Sequence, residues 1–230
     1  MEEAACSIIL APRTPKLKVM NVLHLDSSLT GENSVSRLIS REIVATWIAA
    51  DPAVQVTYRD LAITMPPQLT GELLGALRFG KAPESAAGVA DLAHIEELLS
   101  EFLAADALVI GAPMYNFSLP TQLKAWIDAL SRAGKTFEYT PQGPRGLAGG
   151  KRVIVASSRG NVYSTPSMVE RDFQERYLIA ALKFMGIERF EIVRAEGVNR
   201  GPETRASALA EARAAIAQLA FAPQAETVAE

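Results

Sequence analysis

The sequence predicts an α/β fold: a three-layer, doubly wound parallel sheet of five strands in the order 2-1-3-4-5, with helices on both faces. Three observations lead to this prediction. Short apolar runs alternate with amphipathic segments along the whole chain, as expected for parallel strands joined by right-handed crossovers. There are five such runs, which suits one of the two common doubly wound arrangements. The length of 230 residues and the hydrophobic content of 49% suffice for one substantial core.

Each predicted strand is a short, mostly apolar run bounded by turn residues. In chain order the runs are Leu17–Asp26, Val54–Tyr58, Ala107–Gly111, Lys151–Ser157 and Phe190–Ala195. Apolar runs of this kind are typical of strands that are buried on both faces of a parallel sheet.

The predicted helices are segments whose apolar residues recur every three or four positions, the spacing of one helix face. They carry Leu38–Ile48, Ala90–Ala104, Leu119–Leu130, Phe173–Ala181 and Leu209–Leu219. Two stretches lack periodicity and contain prolines and glycines, so we expect irregular structure at Met65–Ser85 and a loop at Thr136–Gly150.

The composition excludes several classes of protein. The net charge of −3 gives no general attraction to nucleic acid. No segment approaches the roughly 18 apolar residues of a membrane-spanning helix. Cys6 is the one cysteine, so neither an internal disulfide nor a cysteine-based metal site is expected. His24, on a predicted strand, and His94, on a predicted helix, are too far apart in sequence to suggest a metal site.

The ends of the chain are expected to lie outside the domain. We predict flexible segments at residues 1–16 and 222–230 around a single domain at residues 17–221. The acidic Glu2 and Glu3 stand where a signal peptide carries positive charge, which favours a cytoplasmic location.

The loop after the first strand is the first candidate binding segment, because ligands of such sheets bind at the carboxyl ends of the strands, where the strand order reverses. Ser28, Ser34 and Ser36 supply hydroxyl groups, and the helix that follows supplies unpaired backbone N–H groups, so a phosphate could bind without a lysine. The same serines also fit ordinary helix capping. The loop contains no Walker lysine, no set of three spaced glycines and no cysteine, which argues against a P-loop nucleotidase, a Rossmann dehydrogenase and a cysteine phosphatase.

Two further loops follow strands three and four. Met114, Tyr115 and Phe117 could form a flat apolar wall for a planar heteroaromatic ligand, or they could pack beneath the loop as a small core. In the segment Ser158–Asn161, a glycine permits close approach of the backbone to a ligand and Asn161 can bind a polar edge, although an ordinary turn explains this segment equally well.

Five short segments together carry a resemblance to a known family. They are Ser27-Ser28 with Ser34-Val35-Ser36, Ala112–Phe117, Thr121–Lys124, Gly134–Phe137 and Ser158–Gly160. In this order and spacing they resemble the FMN-dependent NADH:quinone oxidoreductases, or azoreductases, of the flavodoxin-like fold. The resemblance extends from about Lys18 to Ala220. It implies a homodimer that holds one FMN per subunit and uses NADH or NADPH to reduce quinones and to cleave azo compounds by a ping-pong mechanism.

The resemblance also implies roles for individual residues. The FMN phosphate would be held by Ser28, Ser34, Val35 and Ser36, the isoalloxazine ring by Met114, Tyr115, Asn116 and Phe117, and the polar edge of the ring by Ser158, Arg159, Gly160 and Asn161. No catalytic side chain is required, because the flavin carries the hydride chemistry. The N–H groups of Gly160 and Asn161 would stabilise the negative charge that develops near N1 and the C2 carbonyl.

Other positions bear on the substrate. Tyr139 and Phe173 are predicted aromatic walls of the substrate pocket. Asn161 replaces a second glycine of the family's best-known members, and Val162–Ser167 also differs from the family pattern. The segment Thr136–Gly150 would lie over the site or at the dimer contact.

Two rival functions remain open from the sequence. A flavodoxin-type one-electron carrier is disfavoured, because such carriers use strongly acidic surfaces to dock their partners and this chain is nearly neutral. An NAD(P)H-dependent FMN reductase that acts on flavin, chromate or nitroaromatic compounds would share the fold.

Overall fold

The computed structural model describes residues 19–219, which form seven strands and six α-helices. In chain order these elements are β1 (Asn21–Asp26), α1 (Val35–Ala50), β2 (Gln55–Asp60), α2 (Gly71–Phe79), α3 (Ala86–Ala104), β3 (Ala107–Pro113), α4 (Thr121–Leu130), β4 (Phe137–Thr140), β5 (Gly143–Gly146), β6 (Arg152–Arg159), α5 (Glu175–Phe184), β7 (Arg189–Glu196) and α6 (Pro202–Gln218). The segments predicted to be flexible at 1–16 and 222–230 lie outside the described residues.

The central sheet contains five parallel strands in the order β2-β1-β3-β6-β7. Counted among the five predicted strands this order is 2-1-3-4-5, so the predicted fold class and strand order are confirmed. All seven residues of β3 are buried, because this strand lies at the centre of the sheet with helices above and below it. Its neighbours are in register, with Leu23 of β1 opposite Leu108 and Leu108 opposite Val153 of β6.

Helices cover both faces of the sheet and divide the core into two layers. Successive side chains of a strand point to opposite faces, so Leu108 faces one layer and Val109 the other. Helices α3, α4 and α5 form the first layer, where Trp126 packs edge-on against Phe102 with ring centroids 5.9 Å apart. Helices α1 and α6 form the second layer, which is centred on the buried Trp47 of α1.

The expectation of irregular structure through Met65–Ser85 is wrong at α2. Thr70 caps this helix by accepting the N–H of Leu73 at 3.1 Å, and Gly80 ends it in the left-handed conformation. Leu73 is its only fully buried residue, so the apolar stripe was too short to predict a helix from periodicity.

The expectation of a loop through Thr136–Gly150 is also wrong in part, because β4 and β5 pair there as an antiparallel hairpin. Gly146 lies against the backbone of Gly186, so closely that a Cβ at Gly146 would overlap it. This contact with a glycine 40 residues further along the chain holds the hairpin in place. No pattern in the local sequence predicts the contact.

Within residues 19–219, none of the helices combines the length and the apolar character that a membrane crossing requires.

Candidate functional site

A cleft of about 190 Å³ opens at the carboxyl ends of β1, β3 and β6, where the strand order predicts a ligand. We call it the edge cleft. All three predicted loops line it, through Ser28, Ser34, Val35, Met114, Tyr115, Ser158, Arg159 and Gly160. Ser36, Asn116, Phe117 and Asn161 belong to the same loops and lie outside its lining. The fold therefore brings together, at one edge of the sheet, segments that are 130 residues apart in sequence.

The first loop ends in a capped helix. Ser34 caps α1 by accepting the N–H of Arg37 at 3.2 Å, and its hydroxyl lies 3.1 Å from that of Ser36. The capping interpretation is thus confirmed for Ser34. Because the first N–H groups of a helix have no acceptor within it, Val35 and Ser36 still present donors at the positive end of the helix dipole.

Tyr115 joins the first loop to the second. Its phenolic oxygen accepts the N–H of Leu29 at 3.1 Å and lies 3.2 Å from the Ser28 hydroxyl. The next two residues, Asn116 and Phe117, have φ values of 48° and 71°. Left-handed backbone is tolerated by asparagine and is uncommon for a bulky residue, and such strain is concentrated at ligand sites. The strained turn thus marks the second loop as a candidate binding segment.

The third loop lies beside a fourth segment, Gly197–Gly201, which was not predicted to be near the site. The N–H groups of Gly197, Val198 and Asn199 donate to the carbonyl oxygens of Asn161, Arg159 and Gly160 at 3.1–3.2 Å. A Cβ on Gly160 would lie 2.7 Å from Nδ2 of Asn199. A glycine at this position is therefore explained by packing as well as by approach of a ligand.

Asn161 lies at the exposed end of the third loop. Its Oδ1 accepts the N–H of Val162 at 2.9 Å. In this conformation its side chain stabilises the local turn, and its predicted contact with a ligand stays a prediction.

The Arg159 side chain is only 1% exposed and is fully engaged inside the protein. Its nitrogens contact Asp172 at 2.8 Å, Glu175 at 2.7 Å, Glu196 at 3.0 Å and Gln174 at 3.0 Å. Because these groups neutralise and enclose the guanidinium, only the Arg159 backbone is free to contribute to the cleft.

Glu196 shows the electrostatic effect of this cluster. Burial raises the pKa of Glu196, but hydrogen bonds from the Ser164 hydroxyl and the Tyr163 N–H, together with Arg159, outweigh burial and lower the pKa below its usual value. Glu196 thus stays ionised and holds Arg159 in place.

The cluster around Arg159 also fixes the aromatic residues near the second loop. Phe173 follows Asp172, and its N–H donates to the Phe117 carbonyl at 3.0 Å. Tyr163, whose N–H binds Glu196 at 2.9 Å, packs edge-on against Phe117 with ring centroids 6.1 Å apart. Phe173 precedes α5 rather than lying on its apolar stripe, and with a side chain 58% exposed it is available to a ligand.

Tyr139 is not brought to the edge cleft within one chain. It lies on β4, 76% exposed, and lines a larger cavity of about 530 Å³ between the hairpin, α2 and the end of α4. The chemistry-bearing loops do not meet at that cavity, so we regard the smaller edge cleft as the candidate site. The predicted substrate role of Tyr139 stays a prediction.

A polar network of the buried His24, Asp26 and Ser40 with the half-exposed Tyr58 supports the first loop from below. Asp26, the last residue of β1, accepts the hydroxyls of Ser40 at 2.8 Å and Tyr58 at 3.0 Å, and His24 Nε2 lies 2.9 Å from the same Ser40 hydroxyl. Burial lowers the pKa of His24, and burial together with Asp26 raises the pKa of Tyr58 to about 12. Both groups are therefore neutral at pH 7 and serve the fold rather than acid–base chemistry.

Six residues of the cleft lining were not among the predicted site residues: Thr30, Asn33, Pro113, Val198, Asn199 and Arg205. The last three follow β7, whose carboxyl end lies at the same edge of the sheet. The rule that located the first three loops would have found them if it had been applied to the fifth predicted strand.

Comparison with known proteins agrees with this geometry. A family model described as "Flavodoxin-like fold" matches residues 20–220. The FMN-dependent NADH:quinone oxidoreductase of Laribacter hongkongensis (strain HLHK9) is 52% identical to this chain over 201 residues, which are 87% of this chain and 100% of that protein. This chain belongs to that flavodoxin-like family. An Azospirillum brasilense relative with the same name is 50% identical over 203 residues, covering 87% of this chain and 98% of the relative.

Solved structures of the family have the same architecture. An azoreductase from Bacillus anthracis str. Sterne aligns with a TM-score of 0.78 at 31% identity, covering 86% of this chain and 98% of that one. An FMN-dependent NADH-azoreductase from Bacillus anthracis str. Ames Ancestor, solved in complex with FMN, aligns with a TM-score of 0.78 at 25% identity, covering 88% and 100%. The resemblance found in the sequence is thus confirmed.

Proposed function

We propose that this chain is an FMN-dependent oxidoreductase that takes two electrons from NADH or NADPH and passes them to quinones, and that it also cleaves aromatic azo compounds. The observation that carries the proposal is the convergence in the edge cleft of a capped helix N-terminus, an apolar loop and a glycine-containing loop. The names of the relatives, which are FMN-dependent NADH:quinone oxidoreductases and azoreductases, support the choice of cofactor and acceptor.

The residues of the cleft fit FMN. Hydroxyls at Ser28 and Ser34 and the N–H groups that begin α1 suit a phosphate. Met114 and Tyr115 supply apolar surface between that end of the cleft and Gly160. No carboxylate of residues 19–219 lines the cleft, so a dianionic phosphate would meet no like charge from this part of the chain.

In the proposed mechanism, bound FMN supplies a two-electron hydride acceptor and donor. Ser28, Ser34, Val35 and Ser36 would bind the phosphate. The second loop, Met114, Tyr115, Asn116 and Phe117, would hold the ring. Ser158, Gly160, Asn161 and the Arg159 backbone would bind its polar edge, and the N–H groups of Gly160 and Asn161 would stabilise negative charge there.

Phe173 is proposed as an aromatic surface for the acceptor, because it lies beside the second loop and is exposed. Tyr139 is proposed for the same role. Donor and acceptor would occupy the same surface in turn, which predicts ping-pong kinetics. Parallel double-reciprocal plots for NADH and a benzoquinone support this order of binding, and intersecting plots contradict it.

The proposal includes one domain at residues 17–221, a homodimer with one FMN per subunit, and a cytoplasmic location, where NADH is supplied. Sedimentation should give twice the chain mass of 24.7 kDa. A mass equal to one chain at micromolar concentration would exclude the dimer.

The test of the activity is anaerobic. We expect the purified protein to show the oxidised-flavin absorption band, to lose it on addition of NADH, and to regain it on addition of a benzoquinone. A one-electron carrier would not oxidise NADH unaided. A protein that neither binds added FMN nor consumes NADH would refute the proposed function.

A further inference from the structure

Arg205 lies in the first turn of α6 and lines the edge cleft together with Ser28, Thr30 and Ser34 of the first loop. Helices α1 and α6 pack on the same face of the sheet. Both follow a strand of the parallel sheet, so both begin at its carboxyl edge. The side chain of Arg205 is half-buried. The first loop, which offers hydroxyls and helix N–H groups, is therefore faced by a cation from the opposite end of the chain.

The charge of Arg205 is available, unlike that of the other arginine in the lining. Arg159 is neutralised by Asp172, Glu175 and Glu196. In contrast, no carboxylate among residues 19–219 forms an ion pair with Arg205. Further along the same helix, Arg213 is paired with Glu42. Arg205 thus gives the edge cleft its one uncompensated charge among the described side chains.

The chemistry of this end of the cleft suits a phosphate monoester. A guanidinium presents a planar set of N–H donors that matches phosphate oxygens, and charge-assisted hydrogen bonds of this kind are among the strongest in proteins. Two ligands of the proposed reaction carry a phosphate monoester: FMN at its 5′ position and NADPH at its 2′ position. Because Arg205 shares the cleft with Ser28 and Ser34, the proposed phosphate-binding residues, the 5′-phosphate of FMN is favoured.

We propose that Arg205 anchors the FMN phosphate and that it makes this chain selective for FMN over riboflavin, an inference that rests on the proposed function. The first loop alone supplies neutral donors. With Arg205, the site also supplies a full positive charge, which stabilises the dianionic form of the phosphate.

The test compares FMN with riboflavin, which lacks the phosphate, in flavin-fluorescence titrations of the protein after its flavin has been removed. In Arg205→Gln, the Kd for FMN should rise about tenfold to a hundredfold, as expected for loss of one charge-assisted contact. The Kd for riboflavin should stay within twofold of wild type, and the dependence of FMN affinity on salt should weaken. A purely structural role for Arg205 would weaken the binding of both flavins.

Two further variants complete the test. Arg205→Lys keeps the charge and should recover part of the lost FMN affinity. Arg200→Gln removes an exposed arginine from the same segment, outside the cleft lining, and should leave both affinities unchanged. Circular dichroism would confirm that each variant is folded, which is expected because these side chains are not part of the core.

Several results would overturn the inference. An unchanged FMN Kd in Arg205→Gln would do so, as would wild-type protein that binds FMN no more tightly than riboflavin. A rise in KM for NADPH alone, with FMN affinity intact, would assign Arg205 to the 2′-phosphate instead. If wild-type protein bound neither flavin, the proposed function itself would fail, and that result is distinct from an FMN affinity that Arg205→Gln leaves unaltered.

Discussion

Replacing Arg159 by methionine removes the cation that three carboxylates share, and we expect this to be among the most destabilising single changes near the site. Removing one partner of a buried ion pair costs about 3 to 5 kcal/mol. Asp172 keeps the N–H groups of Gln174 and Glu175, and Glu175 keeps Arg194. We therefore expect the lower part of that range, about 3 to 4 kcal/mol. With a urea dependence of about 2 to 3 kcal/mol/M, the unfolding midpoint should fall by about 1 to 2 M.

The assay is urea unfolding at pH 7 with saturating FMN, and the matched control is Arg194→Met. Arg194 binds the same Glu175 with 45% of its own side chain exposed. Its loss leaves Glu175 paired with Arg159, so we expect a cost near the range of about 0 to 1 kcal/mol for solvent-exposed pairs. The difference between wild type and Arg159→Met should narrow as the pH falls below 4.5, the ordinary pKa of a glutamate, because the lowered pKa of Glu196 confers stability that is lost on protonation. A midpoint for Arg159→Met that matches that of Arg194→Met would refute the reasoning.

Three further predictions concern the polar network below the first loop and one close backbone contact. Burial lowers the pKa of His24, so the unfolded chain binds protons more readily and stability should decline as the pH falls below 6.5. His24→Gln should flatten this decline in urea midpoints at pH 7 and 5.5, and an unchanged slope would contradict it. Tyr58 has a pKa of about 12, so it should stay protonated up to about pH 10.5. In an ultraviolet titration to that pH, Tyr58→Phe should therefore release as many phenolic protons as wild type, and a variant that releases one proton fewer than wild type would contradict the prediction. Gly146→Ala would force apart the contact with Gly186 and should lower the free energy of unfolding by about 1 to 3 kcal/mol. The control Gly71→Ala has open space around it and should leave the stability unchanged. Equal melting temperatures for the two variants would contradict this prediction.

The five strands, five of the helices and the strand order could be predicted because each depends on a repeating pattern. Two examples are the apolar run of β3 and the helical stripe that includes Trp126 and Ile127. Each pattern is local in sequence, yet it indicates which face of the element is buried in the core. Helix α2 and the β4–β5 hairpin lacked this signal. One buried residue, Leu73, fixes the first, and the backbone contact between Gly146 and Gly186 fixes the second.

The location of the candidate site could be predicted from the strand order, because ligands of such sheets bind at the carboxyl ends of the strands. That rule located three loops, and the structure brings them into one cleft. The rule does not indicate what each side chain does there. The resemblance implies a place for Arg159 at the polar edge of the flavin, yet its guanidinium is enclosed by residues 13, 15, 16 and 37 positions further along the chain. No periodicity connects those positions, so only the folded chain shows that its charge is already neutralised.

The contrast between Arg159 and Arg205 explains how one cleft can be both rigid and charged. A fully paired cation such as Arg159 fixes the positions of the segments around it, because moving it would leave three carboxylates without a counter-charge in a medium of low polarity. A cation without such partners, such as Arg205, makes the electrostatic potential of the cleft more positive, because no neighbouring carboxylate cancels its field at the ligand. Exchanging these roles would fail on both counts: an unpaired Arg159 would carry a large desolvation cost, and a paired Arg205 would add little to phosphate binding. Carboxylates on distant segments, rather than the arginines themselves, thus decide which residue shapes the cleft and which one binds the ligand.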